Sequence, residues 1–282
     1  MNKKSLKTLF TIQKELDGIN HPDSHRIAKD ILQYIEELPE NDQEKTLEKI
    51  ILELKANKPW EYIKGVAEFK GYIFKVNSNT LIPRIETEQL VDMVINHIDE
   101  KTDYIVDVCS GTGCILISII LELEKKENFL NDEWKNIKFV AIEKDLKALE
   151  VLRENVVLHK LQDRVEVIES DLLSNYPYSL NNTIIVTNPP YISLSNYSKL
   201  QKSVLDYEPE IALLGGDMGY EITQKLLEDI SAKKGKRTTI YLETSSDISD
   251  YLYLLSKDIF PTHKVKVIED IYNLQRFVSI ES

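Results

Sequence analysis

Beyond residue 100 the chain alternates between short apolar strand signals and helical signals, and no other feature limits its possible folds as much. Strand signals fall at residues 104–108, 138–142, 165–169, 183–186 and 238–243, with helices starting at Cys114 and Leu146 between the first of them. Neighbouring antiparallel strands need only a tight turn, whereas parallel strands need a crossover, usually a helix. The pattern therefore predicts a mainly parallel sheet with helices on both faces. The last two strand signals, 265–269 and 277–280, leave no room for a helix between them and predict an antiparallel pair. A chain of 282 residues that is 42% apolar can build one large α/β domain of this kind and a smaller one beside it.

The first sixty residues read as that smaller part. Leu6, Leu9, Phe10, Ile12 and Leu16 approximate one helical stripe; Ile27, Ile31, Leu32, Ile35 and Leu38 make a second, and Leu47, Ile50, Ile51 and Leu54 a third. Asn20-His-Pro-Asp23 marks the start of the second helix, and Pro39 follows its end. Each stripe is read as the core of a small bundle. Residues 69–76 then alternate like a strand, Asn77-Ser-Asn79 is a turn signal, and Thr80-Leu-Ile82 follows, which predicts a hairpin between 69–76 and 80–82. A helix is expected from about Glu86 to Ile98. The division is therefore a helical domain at 1–66, a hairpin linker at 67–85 and an α/β domain at 86–282.

Composition excludes several classes of protein. The opening stretch is interrupted by Lys3, Lys4, Lys7, Lys14 and Glu15 and does not read as a signal peptide. The longest mainly apolar run, 114–121, is too short to cross a bilayer, so a monomeric cytoplasmic protein with no membrane contact is expected. Cys109 and Cys114, with no histidine beside them, argue against a disulfide framework or a structural zinc, and no metal is expected. Residues 1–80 hold 13 Lys and Arg against 13 Asp and Glu, so the whole formal charge of −12 falls on residues 81–282. Nucleic-acid enzymes bind phosphate through basic surface, and the acidic balance of the α/β half weighs against direct nucleic-acid binding.

A ligand loop follows the first strand of that half. In Asp107-Val-Cys-Ser-Gly-Thr-Gly113, residues Cys109, Ser110, Gly111, Thr112 and Gly113 make a tight turn before an apolar helix, and the glycines allow close backbone approach by a ligand. The next strand ends at Glu143, where a carboxylate can accept two hydrogen bonds from a ribose diol. The third ends at Asp171-Leu172, with the acid placed to face an adenine amine and the leucine to pack on its ring. Each of these signals alone reads as a helix-entry loop or a solvated charge. Their order along successive strands points to a nucleoside-bearing cofactor.

The fourth strand ends at Asn188-Pro189-Pro190-Tyr191. Consecutive prolines fix φ and donate no backbone hydrogen bond, which leaves carbonyls to accept from a substrate. The Asn188 side chain adds an acceptor, and Tyr191 adds a flat face. The box suits an NH2 on a planar system, either a carboxamide or a nucleobase amine.

Loop, acids and box together resemble the class I methyltransferases that use S-adenosylmethionine, and more narrowly the release-factor glutamine methyltransferases of the PrmC/HemK type. The resemblance covers nearly the whole chain. Beyond the box it rests on Pro59-Trp-Glu-Tyr-Ile-Lys-Gly65, Glu68-Phe69, Leu81-Ile-Pro-Arg84, Glu86-Thr87, Glu208-Pro209 with Ala212-Leu213, and Gly215-Gly216-Asp217 followed by Gly219. Cys109 stands where the family often has a glycine, Glu143 where Asp is usual, and Glu243-Thr-Ser245 where Glu-Ile/Val-Gly is common; the last leaves the role of Glu243 open.

The resemblance implies a seven-stranded sheet whose last strand is antiparallel, and a helical N-terminal domain that docks a peptide-chain release factor. It also implies methyl transfer to N5 of the glutamine in that factor's Gly-Gly-Gln motif. Asn188 and the Pro189 carbonyl would then hold the glutamine amide, with Pro190 and Tyr191 completing the substrate site. Asp107, Cys109, Ser110, Gly111, Thr112, Gly113, Glu143, Asp171, Leu172 and Asn188 would border the cofactor. The alternative is an adenine N6 methyltransferase acting on DNA or RNA, whose acceptor has the same geometry.

Overall fold

The glycine-to-valine step at residues 65 and 66 parts the chain. In this computed structural model, which describes residues 3–19, 24–125 and 132–282, the packing separates Met1–Gly65 with Gln201–Tyr207 from Val66–Leu200 with Glu208–Ser282. In chain order the elements begin with helices α1 (Lys3–Gly18), α2 (Ser24–Glu36), α3 (Glu40–Lys55) and α4 (Trp60–Lys64). A hairpin β1 (Val66–Phe69) and β2 (Tyr72–Lys75) follows, then α5 (Glu88–His97), β3 (Tyr104–Val108), α6 (Cys114–Lys125), β4 (Lys138–Glu143), α7 (Leu146–Leu158) and β5 (Val165–Glu169). After β6 (Thr183–Thr187) come β7 (Ile192–Ser193), α8 (Leu194–Tyr197), α9 (Lys202–Tyr207) and β8 (Leu214–Gly216). The chain closes with α10 (Glu221–Ala232), β9 (Thr238–Glu243), α11 (Ser249–Ile259), β10 (Lys264–Glu269) and β11 (Gln275–Glu281).

The helical unit forms around the predicted stripes. Ile12 and Leu16 of α1, Ile27, Ala28, Ile31, Leu32 and Ile35 of α2, and Ile50 and Leu54 of α3 pack with Trp60 into one core. The Trp60 ring is anchored by its indole N–H, which donates to Asp30 Oδ2 at 2.6 Å, and Lys64 pairs with the same carboxylate. Pro39 and Pro59 stand just before α3 and α4, where a missing N–H costs nothing. Helix α9 joins this unit through the Tyr207 hydroxyl, which donates to the Ala56 carbonyl. Two residues of the predicted first stripe lie outside the core: Leu6 and Phe10 are 53% and 72% exposed, because they sit on a different side of α1 from Ile12 and Leu16. The Asn20-to-Asp23 helix start lies outside the described residues.

The hairpin differs from the expectation. It turns at Lys70-Gly71, so that Phe69 pairs with Tyr72 and Val66 with Lys75, rather than at Asn77 to Asn79. Both turn residues have positive φ, +54° and +76°, the geometry that matches the twist of two-residue hairpins. Residues 77–80 do turn, with the Thr80 amide donating to the Asn77 carbonyl, but no strand follows them.

The larger unit carries the predicted sheet, in the order β10-β11-β9-β6-β3-β4-β5. Strands β9, β6, β3, β4 and β5 are mutually parallel, while β11 runs antiparallel to both of its neighbours. Successive residues serve opposite faces, as the pleat requires. In β4, Phe139 and Ala141 pack with α5, α6 and α7, while Val140 and Ile142 pack with α10 and α11. Because the chain leaves β3 first toward β4 and later toward β6, the strand order reverses there, and ligand crevices form beyond the carboxyl ends at such a point.

Candidate active site

A cavity of about 480 Å³ occupies that position. Its wall includes Cys109, Ser110, Gly111, Thr112, Glu143, Asp171, Leu172, Asn188 and Pro190. Four strand ends named from sequence thus meet on one space. Asp107, Gly113, Pro189 and Tyr191 do not form part of the wall.

The glycine loop is held from three sides. Ser110 receives the turn: its amide donates to the Ile142 carbonyl at 3.0 Å, its hydroxyl donates to the Asp107 carbonyl, and its own carbonyl accepts the Gly113 amide at 2.7 Å. Cys109 adopts φ +60°, a conformation that costs a non-glycine residue about 1–3 kcal/mol, and burial pushes its thiol well above the usual range. Gly111 is at φ +54° with open space where a Cβ would point. Asn155 of α7 clamps the loop to the hairpin: its Nδ2 donates to the Thr112 and Lys75 carbonyls while its Oδ1 accepts the Lys75 amide.

The acids divide into distinct environments. Glu143 Oε2 accepts the Gly111 amide at 2.9 Å, and Oε1 accepts the amides of Lys144 and Asp145, so this carboxylate holds the loop as well as lining the cavity. Asp145 caps α7 by accepting the Lys147 and Ala148 amides. Asp171 is half exposed and pairs with Lys144 at 3.0 Å, whereas Leu172, at φ +52°, is buried against the sheet. Asp107 is fully buried; among the described residues neither carboxyl oxygen has a close hydrogen-bond partner, and burial, only partly offset by the nearby Ser110 hydroxyl and Leu116 amide, pushes its acid up to about 8.

The Asn188 box is fixed by a buried network that sequence spacing hid. Thr187 donates its hydroxyl to the Val108 carbonyl at 2.6 Å, tying the end of β6 to the start of the glycine loop. Asn188 Nδ2 donates to Thr87 Oγ1 at 3.3 Å, and Thr87 donates to Glu243 Oε2 at 2.6 Å. Tyr191 donates to Glu243 Oε1 at 3.1 Å and packs its ring against the sheet core. Glu243 is 1% exposed, and burial pushes its acid up to about 7. Gly215 and Gly219 let their loop lie against the box: a Cβ on Gly215 would come within 2.6 Å of the Pro190 carbonyl oxygen. Arg84, which also lines the cavity, pairs with buried Glu208 at 2.5 Å, and Glu208 also accepts the Ile82 amide.

Thr87, Glu243, Arg84 and Glu208 are the groups that reading by strand ends leaves without roles. Three of them stand in family-like segments, Glu86-Thr87, Leu81-Ile-Pro-Arg84 and Glu208-Pro209, and Glu243 in the segment that departs from the family. Among the described residues, no group of three or more His, Cys, Asp and Glu is arranged to hold a metal ion, and no helix is long and apolar enough to cross a membrane.

Comparison with known proteins agrees with this architecture. The model of the N-6 DNA methylase family matches residues 86–212. The release factor glutamine methyltransferase of Lactococcus lactis is 32% identical over 241 residues, covering 85% of this chain and 84% of that protein. The protein of the same description from Leptospira interrogans is 35% identical over 238 residues, covering 81% and 76%. Among solved structures, the hMettl16 catalytic domain in complex with MAT2A 3′UTR hairpin 1 superposes with a TM-score of 0.53 at 13% identity, covering 84% of this chain and 80% of that one. At that identity the likeness concerns the fold alone.

Proposed function

The chain belongs to the release factor glutamine methyltransferase family, and from that premise we propose that it transfers a methyl group from S-adenosylmethionine to N5 of the glutamine in the Gly-Gly-Gln motif of a peptide-chain release factor. One observation carries the reading: Asn188 and Pro190 of the acceptor box line the same cavity as the glycine loop, Glu143 and Asp171. On this reading an amide acceptor and a nucleoside site share one space.

The residues fit the cofactor. Gly111 leaves its backbone open and Glu143 offers a carboxylate at the end of β4, both on the cavity wall. When bound, S-adenosylmethionine supplies a methyl group already activated by its sulfonium. An amide nitrogen is a poor nucleophile, because its lone pair is delocalised into the carbonyl. The chain's work is therefore positioning and electrostatics. The Asn188 side-chain carbonyl, at the cavity wall, would accept an N–H of the glutamine amide and so orient its nitrogen for transfer, with the Pro189 carbonyl, outside that wall, as the second acceptor that the family resemblance implies. Tyr191 steadies the box through its hydroxyl bond to Glu243 and its packing on the sheet core. The extra proton on the methylated amide then passes to water, so no base need act before transfer.

The helical unit serves as the docking module for the release factor, and the enzyme acts as a cytoplasmic monomer. The nucleobase alternative is weaker on two grounds. The family-model match over residues 86–212 spans a box common to amide and nucleobase acceptors and does not separate them, whereas the full-length relatives do. The acidic balance of residues 81–282 also opposes phosphate-driven binding. Incubation of the protein with methyl-labelled S-adenosylmethionine and either a release factor or mixed DNA and RNA tests the reading. Label is expected in the release factor; label in nucleic acid alone would replace this reading with the alternative.

A further inference from the structure

A hydroxyl has one hydrogen to give. Thr87 spends its hydrogen on Glu243 Oε2 at 2.6 Å, so toward Asn188 it can only accept. Asn188 must then present its NH2 to Thr87, and its carbonyl oxygen is left for the cavity. An ionised carboxylate is acceptor-only, so both Thr87 and Tyr191 must donate to it, and the direction of every bond in the chain follows from that one group. We propose that Glu243 is a positioning residue that acts through Thr87 to hold the Asn188 amide with its carbonyl toward the acceptor, and so sets the polarity of the acceptor site. This rests on the functional reading above and gives Glu243 the role that the sequence left open.

The arrangement has a built-in dependence on ionisation. Addition of a proton to Glu243 puts a donor between Thr87 and Tyr191, after which Thr87 can give its hydrogen to Asn188 and the amide is free to turn its NH2 into the cavity. A rotated amide offers donors to a substrate that also brings donors, and binding in the reactive pose is lost. Glu243 faces Thr87 and Glu86 from the segment entering α5, Tyr191 from the chain after β6, Cys114 at the start of α6, and Arg276 of β11. Arg276 is itself held by Asp270 at 3.1 Å, and its charge favours the ionised carboxylate, whereas burial and Glu86 oppose it. The balance lies near neutrality, at about 7.

The test uses the full chain with Thr87→Val, Thr87→Ser and Glu243→Gln. Valine keeps the shape of threonine but removes the link, whereas serine restores it. Thr87→Val is expected to lower kcat toward a release factor by about 10- to 100-fold, as for a misplaced reacting group, with cofactor affinity unchanged and Thr87→Ser recovering most of the loss. In wild type, kcat rises with pH through about 7, and Glu243→Gln removes that limb. A readout free of substrate accompanies the kinetics: the Asn188 side-chain NH2 resonances of the wild type titrate with the same midpoint, and those of Glu243→Gln do not.

Wild-type transfer with unchanged kcat in Thr87→Val, or a wild-type rise with pH that persists in Glu243→Gln, would overturn the positioning role while leaving the function intact. Failure of the wild type to methylate the release factor would instead overturn the functional reading. The NMR titration would then decide the polarity of the network by itself.

Discussion

At the scale of single residues, the site concentrates acids whose surroundings set them apart. Glu143 is satisfied by three backbone amides and also lines the cavity, so its removal should loosen the loop and strip a cofactor contact together. Glu143→Ala is expected to weaken S-adenosylmethionine binding by about 1–3 kcal/mol, the usual cost of losing hydrogen bonds to a charged group; calorimetry would show it, and unchanged affinity would place the ribose contact elsewhere. Asp107 is the opposite case, an acid that has no close hydrogen-bond partner among the described residues and is pushed up to about 8 by burial. An acid whose folded pKa is raised above its unfolded value holds its proton more tightly in the folded state. Its stabilising share is therefore complete below the unfolded value of about 4 and is lost as pH rises through about 8. Without cofactor, the melting temperature of the wild type should fall over that window, and Asp107→Asn should flatten the fall. An equal slope in the variant would show that Asp107 is not the group responsible.

At the scale of elements, the loop carrying Gly215 to Gly219 sets where the acceptor box can sit. A Cβ on Gly215 would stand 2.4 Å from the Gly219 carbonyl oxygen and 2.8 Å from Tyr191 Cα, both backbone, so the box must move to admit it. Gly215→Ala should therefore lower turnover by about 100-fold, the scale of a displacement near 1 Å at a reacting group, while cofactor affinity is kept. Steady-state kinetics with a binding assay separates the two. Strand positions in this unit were legible because burial on both faces demands continuous apolar runs, as in β6 and β9. The hairpin was not. Lys70-Gly71 interrupts an alternation that reads straight through, and only the pair of positive φ angles reveals the reversal. The glycine loop, Glu143, Asp171 and Asn188 were legible as ends of strands. Thr87 and Glu243 were not, since a contact 156 positions apart leaves no local trace in one sequence.

At the scale of the whole molecule, sequence patterning separated a helical part from an α/β part but gave no sign that residues 201–207, deep in the second part, pack with the first. That segment begins ten positions after Tyr191, and its polar, short pattern carries no stripe long enough to read. Charge is legible at this scale and bears on the substrate: an α/β half that carries the entire −12 is poorly made to hold a phosphate backbone. The proposed role of Asn188 is to hold the amide that receives the methyl group. Its most direct test is mass-spectrometric mapping of a release factor after incubation with S-adenosylmethionine and either the wild type or Asn188→Ala. The prediction is one added methyl group on the glutamine of the Gly-Gly-Gln motif with the wild type, and almost none with a variant that still folds and binds the cofactor. A methyl group on any other residue, or equal modification by the variant, would contradict it.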